Sequence, residues 1–286
     1  MSERFLTTPG GTIEFPAYIP VTTFGSRYPL DGLIQPYLPR ISQAVMVSYY
    51  YAQQMKKRPR LPLLIDSGGF AALFEGSQIE EKDGLGVLKI SREEETERLH
   101  PMDVLEFQEE HADVAFTLDF PIPPSLDIQE AEKRQSLTIA NAIWALENRR
   151  RHPMRLYACI QAWDADSARM CARELTQYDF DGFAIGGLVP RTRDWSLVRG
   201  ITESVKAEAG DKPLHVFGLG KPETVNQLFE IGVDSVDSSS YVKMAADGRL
   251  WGKPDFRLED ASTPELLNLA IRNLATASKR ELPLAS

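Results

Sequence analysis

Cysteine is nearly missing from this chain: Cys159 and Cys171 are the only two among 286 residues. One falls in a predicted strand and the other in a predicted helix. That excludes a disulfide framework and a cysteine-rich zinc site, and leaves both as buried small hydrophobes. Histidine is also scarce. His100, His111, His152 and His215 form no His-x-His or His-Glu-x-x-His pair, so metal-assisted hydrolysis fits poorly. No apolar run approaches the length needed to span a bilayer. The start, Met1-Ser2-Glu3-Arg4-Phe5, lacks the basic-then-apolar pattern of a secretory signal, and a cytoplasmic protein with no membrane partner is expected.

Positive charge is in deficit, with 32 Lys and Arg against 41 Asp and Glu and a formal charge of -9. This argues against nonspecific nucleic-acid binding through overall electrostatics. A local basic face stays open at Lys56-Lys57-Arg58 with Arg60, at Arg149-Arg150-Arg151 with His152, and at Arg191 with Arg193. The alternative for each is a solvated helix end or loop, which is favoured for the middle cluster because cations suit a helix C-terminus.

What is present is a recurring alternation. Eight short apolar segments are predicted as strands: Ala17 to Val21, Ala44 to Tyr49, Pro62 to Ile65, Asp113 to Leu118, Arg155 to Ile160, Gly182 to Ile185, Leu214 to Phe217 and Val233 to Val236. Several are continuously apolar, as parallel strands covered on both faces are. Helical patterns follow at Asp127 to Arg150, Asp164 to Tyr178, Trp195 to Ala209 and Pro222 to Ile231. Asp127 serves as N-cap of the first. No Gly-x-Gly-x-x-Gly follows the first strand, so the expected fold is α/β, a (β/α)8 barrel forming one domain over residues 1–286. The charged stretch 75–100 is expected as a hairpin insertion on the rim between strands three and four. A last outer helix is expected over 263–280, with Thr263 as N-cap and Pro264 at the first helical position.

Barrel enzymes draw their catalytic residues from the C-terminal ends of several strands. Here strands three, four, five and eight end at Asp66, Asp119, Gln161 and Asp237, while six and seven lead into Gly186-Gly187-Leu188 and Gly218-Leu219-Gly220-Lys221. A lone strand-end aspartate is more often a cap or a turn. Three of them, with a glutamine and two glycine-rich turns on one rim, point to one pocket. Two carboxylates, one nucleophilic and one exchanging protons, are the equipment for retaining chemistry at an anomeric carbon. A further carboxylate and a carboxamide could read the polar edge of a purine. The glycine-rich turns also permit a phosphate site.

The chain resembles the tRNA-guanine transglycosylases in six motifs: Gly11-Thr12-Ile13-Glu14-Phe15-Pro16-Ala17, Asp66-Ser67-Gly68-Gly69-Phe70, Phe116-Thr117-Leu118-Asp119, Phe180-Asp181-Gly182-Phe183-Ala184-Ile185-Gly186-Gly187-Leu188, Gly218-Leu219-Gly220-Lys221-Pro222 and Gly232-Val233-Asp234-Ser235-Val236-Asp237. They occur in the family's order and cover nearly the whole chain. The resemblance implies a (β/α)8 barrel that exchanges bases in a nucleic acid. It assigns Asp237 as the nucleophile at C1′ and Asp66 as the general acid/base. Asp119, Gln161 and the backbone at Gly187 and Leu188 would bind a guanine-like base, with Ser67 beside them and Phe70 and Phe217 sandwiching the ring. For the two phenylalanines, ordinary packing is the alternative.

Two departures from the family pattern bear on partners. The zinc subdomain, a Cys-x-Cys-x-x-Cys with a later histidine before the final helix, has no counterpart, because Arg249 runs through Trp251-Gly252-Lys253-Pro254 without a cysteine. Zinc is therefore expected to be absent and no cofactor is implied. Lys243 stands where the family has an arginine as its nucleic-acid contact, and Ala246-Asp247-Gly248 replaces Arg-Asn-Gly, which weakens phosphate contact. The expected partners are a free guanine or 7-deazaguanine base and a nucleic acid, with DNA weighed slightly ahead of tRNA. A homodimer or a partner subunit stays open. So do two other functions, a non-catalytic partner of a transglycosylase and a small-molecule barrel enzyme acting on nucleosides or phosphosugars.

Overall fold

In the computed structural model, which describes residues 4–25, 28–92, 95–150 and 153–279, eight strands form one parallel sheet. They are β1 (Ala17–Pro20), β2 (Val45–Val47), β3 (Leu63–Ile65), β4 (Val114–Phe116), β5 (Arg155–Ile160), β6 (Gly182–Ile185), β7 (Leu214–Val216) and β8 (Ser235–Ser238). Their order is β1-β8-β7-β6-β5-β4-β3-β2, every pair parallel. The ends meet where Val21 bridges Met46 and the Thr22 N–H donates to the Met46 carbonyl at 3.0 Å. The sheet is thus a closed (β/α)8 barrel.

Side-chain alternation explains the continuous apolar runs. Ala17 and Ile19, Met46, Leu64, Val114 and Phe116, Tyr157 and Cys159, and Ala184 pack inside the barrel. Their neighbours Tyr18, Val45, Val47, Leu63, Ile65, Ala158, Ile160, Phe183 and Val236 pack outward under the helices. Both faces are buried, so both parities are apolar. At the N-terminal end an antiparallel hairpin, Arg4–Thr8 with Gly11–Phe15, sends Leu6, Ile13 and Phe15 against the interior cluster. The sequence reading omits this hairpin, although Pro9-Gly10-Gly11 between two short runs is its turn signal.

Helices Trp195–Ala209 and Pro222–Ile231 match expectation, and Asp127 caps Ile128–Asn148 by accepting the Glu130 N–H at 2.9 Å. The final helix is Thr263–Ala277, and Ser262, one residue earlier than expected, is its cap. The Glu265 carboxylate accepts both the N–H and the O–H of Ser262, which places the capping box at Ser262 and not at Thr263. Residue 280 lies outside the described residues. The rim insertion is larger than a hairpin: Ser77–Lys82, Leu85–Arg92 and Glu95–Leu99 form a three-stranded antiparallel sheet. Asn141 fastens it. Its amide accepts the Gly86 N–H and donates to the carbonyls of Gly86 and Leu118 at 3.1 and 3.2 Å.

The opposite face carries a repeated staple. Asp113, Asp181 and Asp234 each stand just before β4, β6 or β8, and each accepts an N–H at the start of the neighbouring strand, from Leu63, Leu156 and Leu214 respectively. Each also pairs with arginine: Arg58 with Asp113, Arg149 and Arg155 with Asp181, and Arg4 with Asp234. The staples correct the search for a basic face. Arg58 and Arg149 neutralise carboxylates at the far end of the barrel, and Arg150 pairs with Glu106 and Glu109. Arg151 and His152 lie outside the described residues.

Burial alone would raise the Asp181 carboxyl, but the Leu156 N–H and the Arg149 and Arg155 guanidiniums outweigh it and hold it below the usual carboxylate range. A carboxyl lowered on folding stabilises above its unfolded pKa, about pH 4, and loses that contribution as the pH falls through the folded value. Asp181→Asn should therefore lower the melting temperature by about 5 °C at pH 7. The deficit should shrink on acidification below pH ~4, measured by differential scanning calorimetry.

Candidate active site

At the C-terminal end of the strands lies a cavity of about 540 Å³ lined by Asp66, Ser67, Phe70, Asp119, Gln161, Gly187, Phe217, Asp237 and Lys243, among other residues. Of the ten residues expected at the site, nine line this one space. Leu188, the tenth, is fully buried directly behind Gly187.

Asp66 follows β3, and its N–H still belongs to the sheet through the Val47 carbonyl at 3.2 Å. Its Oδ1 accepts the N–H groups of Tyr49 and Gly68, both at 2.9 Å. Gly68, at φ 76°, makes the left-handed turn that lets the chain double back on its own carboxylate. Among the described residues no cation pairs with Asp66. Burial lifts its carboxyl to about 7, the two N–H groups work against that, and the charges of Asp237 and Asp119 add to it.

Asp119 lies three residues beyond β4 and is almost fully buried. Ser67 Oγ donates to its Oδ1 at 2.7 Å, and Gln161 Nε2 donates to its Oδ2. Burial raises this carboxyl too, opposed by those two donors. The backbone crowds this corner: a Cβ on Gly69 would sit 2.0 Å from the Asp119 carbonyl oxygen, and one on Gly186 would sit 2.2 Å from Gln161 Nε2. Gln161 is fully buried at the end of β5, and among the described residues its Oε1 has no hydrogen-bond partner. A Cβ on Gly187 would lie 2.6 Å from that oxygen, so glycine keeps the approach to it open.

Asp237 differs from expectation in placement. It lies within β8, not beyond it, and strand alternation turns Ser235 and Asp237 to the same interior face. Its Oδ1 accepts the Gly218 N–H at 3.1 Å and meets His215 Nε2 at 3.0 Å. His215 is a contribution the sequence reading misses, having weighed histidine only as a metal ligand; Gly218 was read as part of a rim turn, without its bond to Asp237. Parity was the available signal: His215 and Phe217 share a face of β7, opposite Ser235 and Asp237 on β8.

The two phenylalanines part company. Phe70 is 59% exposed, with an edge contact to Phe74, so it is not a packed core ring. Phe217 is half-buried and packs edge-on against Phe116 and His215. They follow β3 and β7, four strands apart in an eight-stranded ring, and so flank the cavity from opposite sides. Arg191, expected on a basic face, is buried, and its guanidinium donates to the carbonyls of Ile122 at 2.6 Å and Gly187 at 2.8 Å. It braces the glycine turn from behind. Lys221 and Lys243 supply cations to the cavity wall.

Both cysteines are buried, Cys159 inside the barrel and Cys171 under an outer helix, and among the described residues no group of three or more His, Cys, Asp or Glu could hold a metal.

The family model for queuine tRNA-ribosyltransferase matches residues 4–273. The chain belongs to that family. Similar proteins include a tRNA-guanine(15) transglycosylase of Methanocaldococcus jannaschii, 31% identical over 201 residues, or 64% of this chain and 30% of that protein. The tRNA-guanine(15) transglycosylase of Pyrococcus furiosus is 28% identical over 248 residues, 84% of this chain and 40% of its own length. A queuine tRNA-ribosyltransferase of Marinobacter nauticus is 24% identical over 266 residues, 86% of this chain and 70% of its own. The chain thus spans less than half the length of these archaeal relatives. No helix among the described residues is long and apolar enough to cross a membrane.

The raised Asp66 carboxyl opposes folding once it must ionise. Between about pH 4 and 7 the folded state binds the extra proton, so this group's effect on stability worsens as the pH rises through that window. Asp66→Asn keeps an oxygen to accept the Tyr49 and Gly68 N–H groups. It should raise the melting temperature by a few degrees at pH 8 and by much less at pH 5, read as paired thermal melts.

Proposed function

We propose that this chain replaces guanine by a 7-deazaguanine base in a nucleic acid through two displacements at one C1′ carbon. Supporting this reading are the family membership and, above all, the division of labour among three carboxylates in one cavity. Asp237 has one oxygen clamped and, among the described residues, no hydrogen bond on the other, Asp66 can hold a proton near neutrality, and Asp119 is fixed by Ser67 and Gln161.

Asp237 Oδ2 attacks C1′, the C1′–N9 bond breaks, and its electron pair leaves with the base. Asp66 delivers the proton to that base. The incoming base then gives its proton to Asp66 and attacks C1′ from the vacated side, and the ester oxygen of Asp237 departs with its electron pair as carboxylate. Net configuration is retained. Asp119, Gln161 and the backbone at Gly187 and Leu188 read the polar edge of the base. The buried Gln161 Oε1 is an acceptor that a base N–H would satisfy, and leaving it bare costs free energy. Phe70 and Phe217 hold the ring. Lys243 meets the phosphate backbone.

The matched relatives are named for tRNA, whereas the cysteine-free segment and the replaced arginine weigh toward DNA. An exchange assay that offers labelled guanine with tRNA, duplex DNA and single-stranded DNA separately decides the polymer. Incorporation into one of them is the expected result; incorporation into none sinks the reading. Asp237→Asn should reduce exchange by about 1000-fold or more and abolish the covalent adduct on a denaturing gel, with the fold intact. Exchange at the unsubstituted rate would overturn its role as nucleophile.

A further inference from the structure

We infer that His215, held by Ser235, is a positioning residue that presents Asp237 for attack and steadies it as it leaves. This rests on the base-exchange reading above. His215 and Ser235 are register partners on the adjacent strands β7 and β8. The imidazole Nδ1 lies 2.8 Å from Ser235 Oγ and Nε2 lies 3.0 Å from Asp237 Oδ1. An ionised carboxylate only accepts, so Nε2 carries the proton of this bond. In the neutral ring that leaves Nδ1 as acceptor for the Ser235 hydroxyl, so the serine fixes the tautomer the carboxylate needs. The ring has no freedom to turn otherwise, because Phe116 and Phe217 pack against it with centroids 5.1 and 4.9 Å away.

His215 is 0% exposed. It cannot reach a substrate in the cavity and acts only through Asp237. With the Gly218 N–H on the same oxygen, two donors hold Oδ1 and orient the carboxylate so that Oδ2 is the free nucleophile. When Oδ2 becomes the ester oxygen, Oδ1 becomes the carbonyl oxygen. When the C1′–O bond breaks, negative charge returns to the carboxylate, and the same two donors stabilise it as leaving group. The contribution therefore falls on the chemical steps and not on base binding.

The test compares His215→Leu, His215→Gln and Ser235→Ala with the unsubstituted chain in the guanine-exchange assay, using the polymer that supports exchange. His215→Leu removes the donor, and kcat should fall by about 10- to 100-fold, the loss of one hydrogen bond to a charged group, with KM for guanine within about twofold. His215→Gln returns an amide N–H near the Nε2 position and should recover a large part of kcat. Ser235→Ala, which leaves the ring in place, should lower kcat by a smaller factor. It carries the test if the leucine variant melts at an unfolded baseline. Unchanged kcat in both His215→Leu and Ser235→Ala, or a glutamine variant no better than leucine, overturns the inference while leaving base exchange standing. An unsubstituted chain that exchanges no base on any polymer overturns base exchange and this inference together.

Discussion

The site depends on the seam between β1 and β2. Val21 and Thr22 on one side and Met46 on the other join the backbones at the ends of the sheet. If the sheet were open, β3 with Asp66 and β8 with Asp237 would stand five places apart along it. Closure brings them within three and turns both toward a shared interior, where the charge of Asp237 helps raise the Asp66 carboxyl. The proton that Asp66 can hold near neutrality is owed first to its burial, and barrel closure adds the charge of Asp237 to that.

The two ends of the barrel use aspartate in opposite ways. At the N-terminal end Asp113, Asp181 and Asp234 stand before their strands, pin the neighbouring strand by its backbone and meet arginine. At the C-terminal end Asp66, Asp119 and Asp237 are held by N–H groups, a hydroxyl, a carboxamide and an imidazole, none of them a lysine or arginine. The first set secures the frame. The second, among the described residues, has no lysine or arginine partner to hold it ionised.

Much of this was legible in the sequence where a pattern repeats. Eight apolar runs alternating with helical stripes specify the barrel, because strands covered on both faces cannot hide their composition. Residues stationed at strand ends specify the cavity wall. What stayed hidden is relational. Parity in the segment Leu214-His215-Val216-Phe217 turns the ring to one face with Phe217, but that it meets Asp237 depends on the register between β7 and β8. The basic clusters misled for the same reason. Arg58, Arg149 and Arg191 look alike as cations, yet two staple the far face and one is buried against carbonyls near the pocket. The hairpin Arg4–Thr8 with Gly11–Phe15 was missed because its strands serve as a plug and repeat no βα unit.

The Asn141 clamp has a mechanical meaning. One buried amide grips both backbone polar groups of Gly86 on the rim sheet and also the Leu118 carbonyl, the residue before Asp119. A Cβ on Gly86 would sit 2.2 Å from the Phe120 ring, so the rim sheet and the β4 loop have no slack between them. One side chain thus ties the rim sheet to the backbone that carries Asp119 into the cavity. Under the proposed base exchange, a polymer would have to unstack its own nucleotide to bring a base to Asp119. On that reading, the ease with which the strand deforms would bear on which polymer is used before any base edge is read.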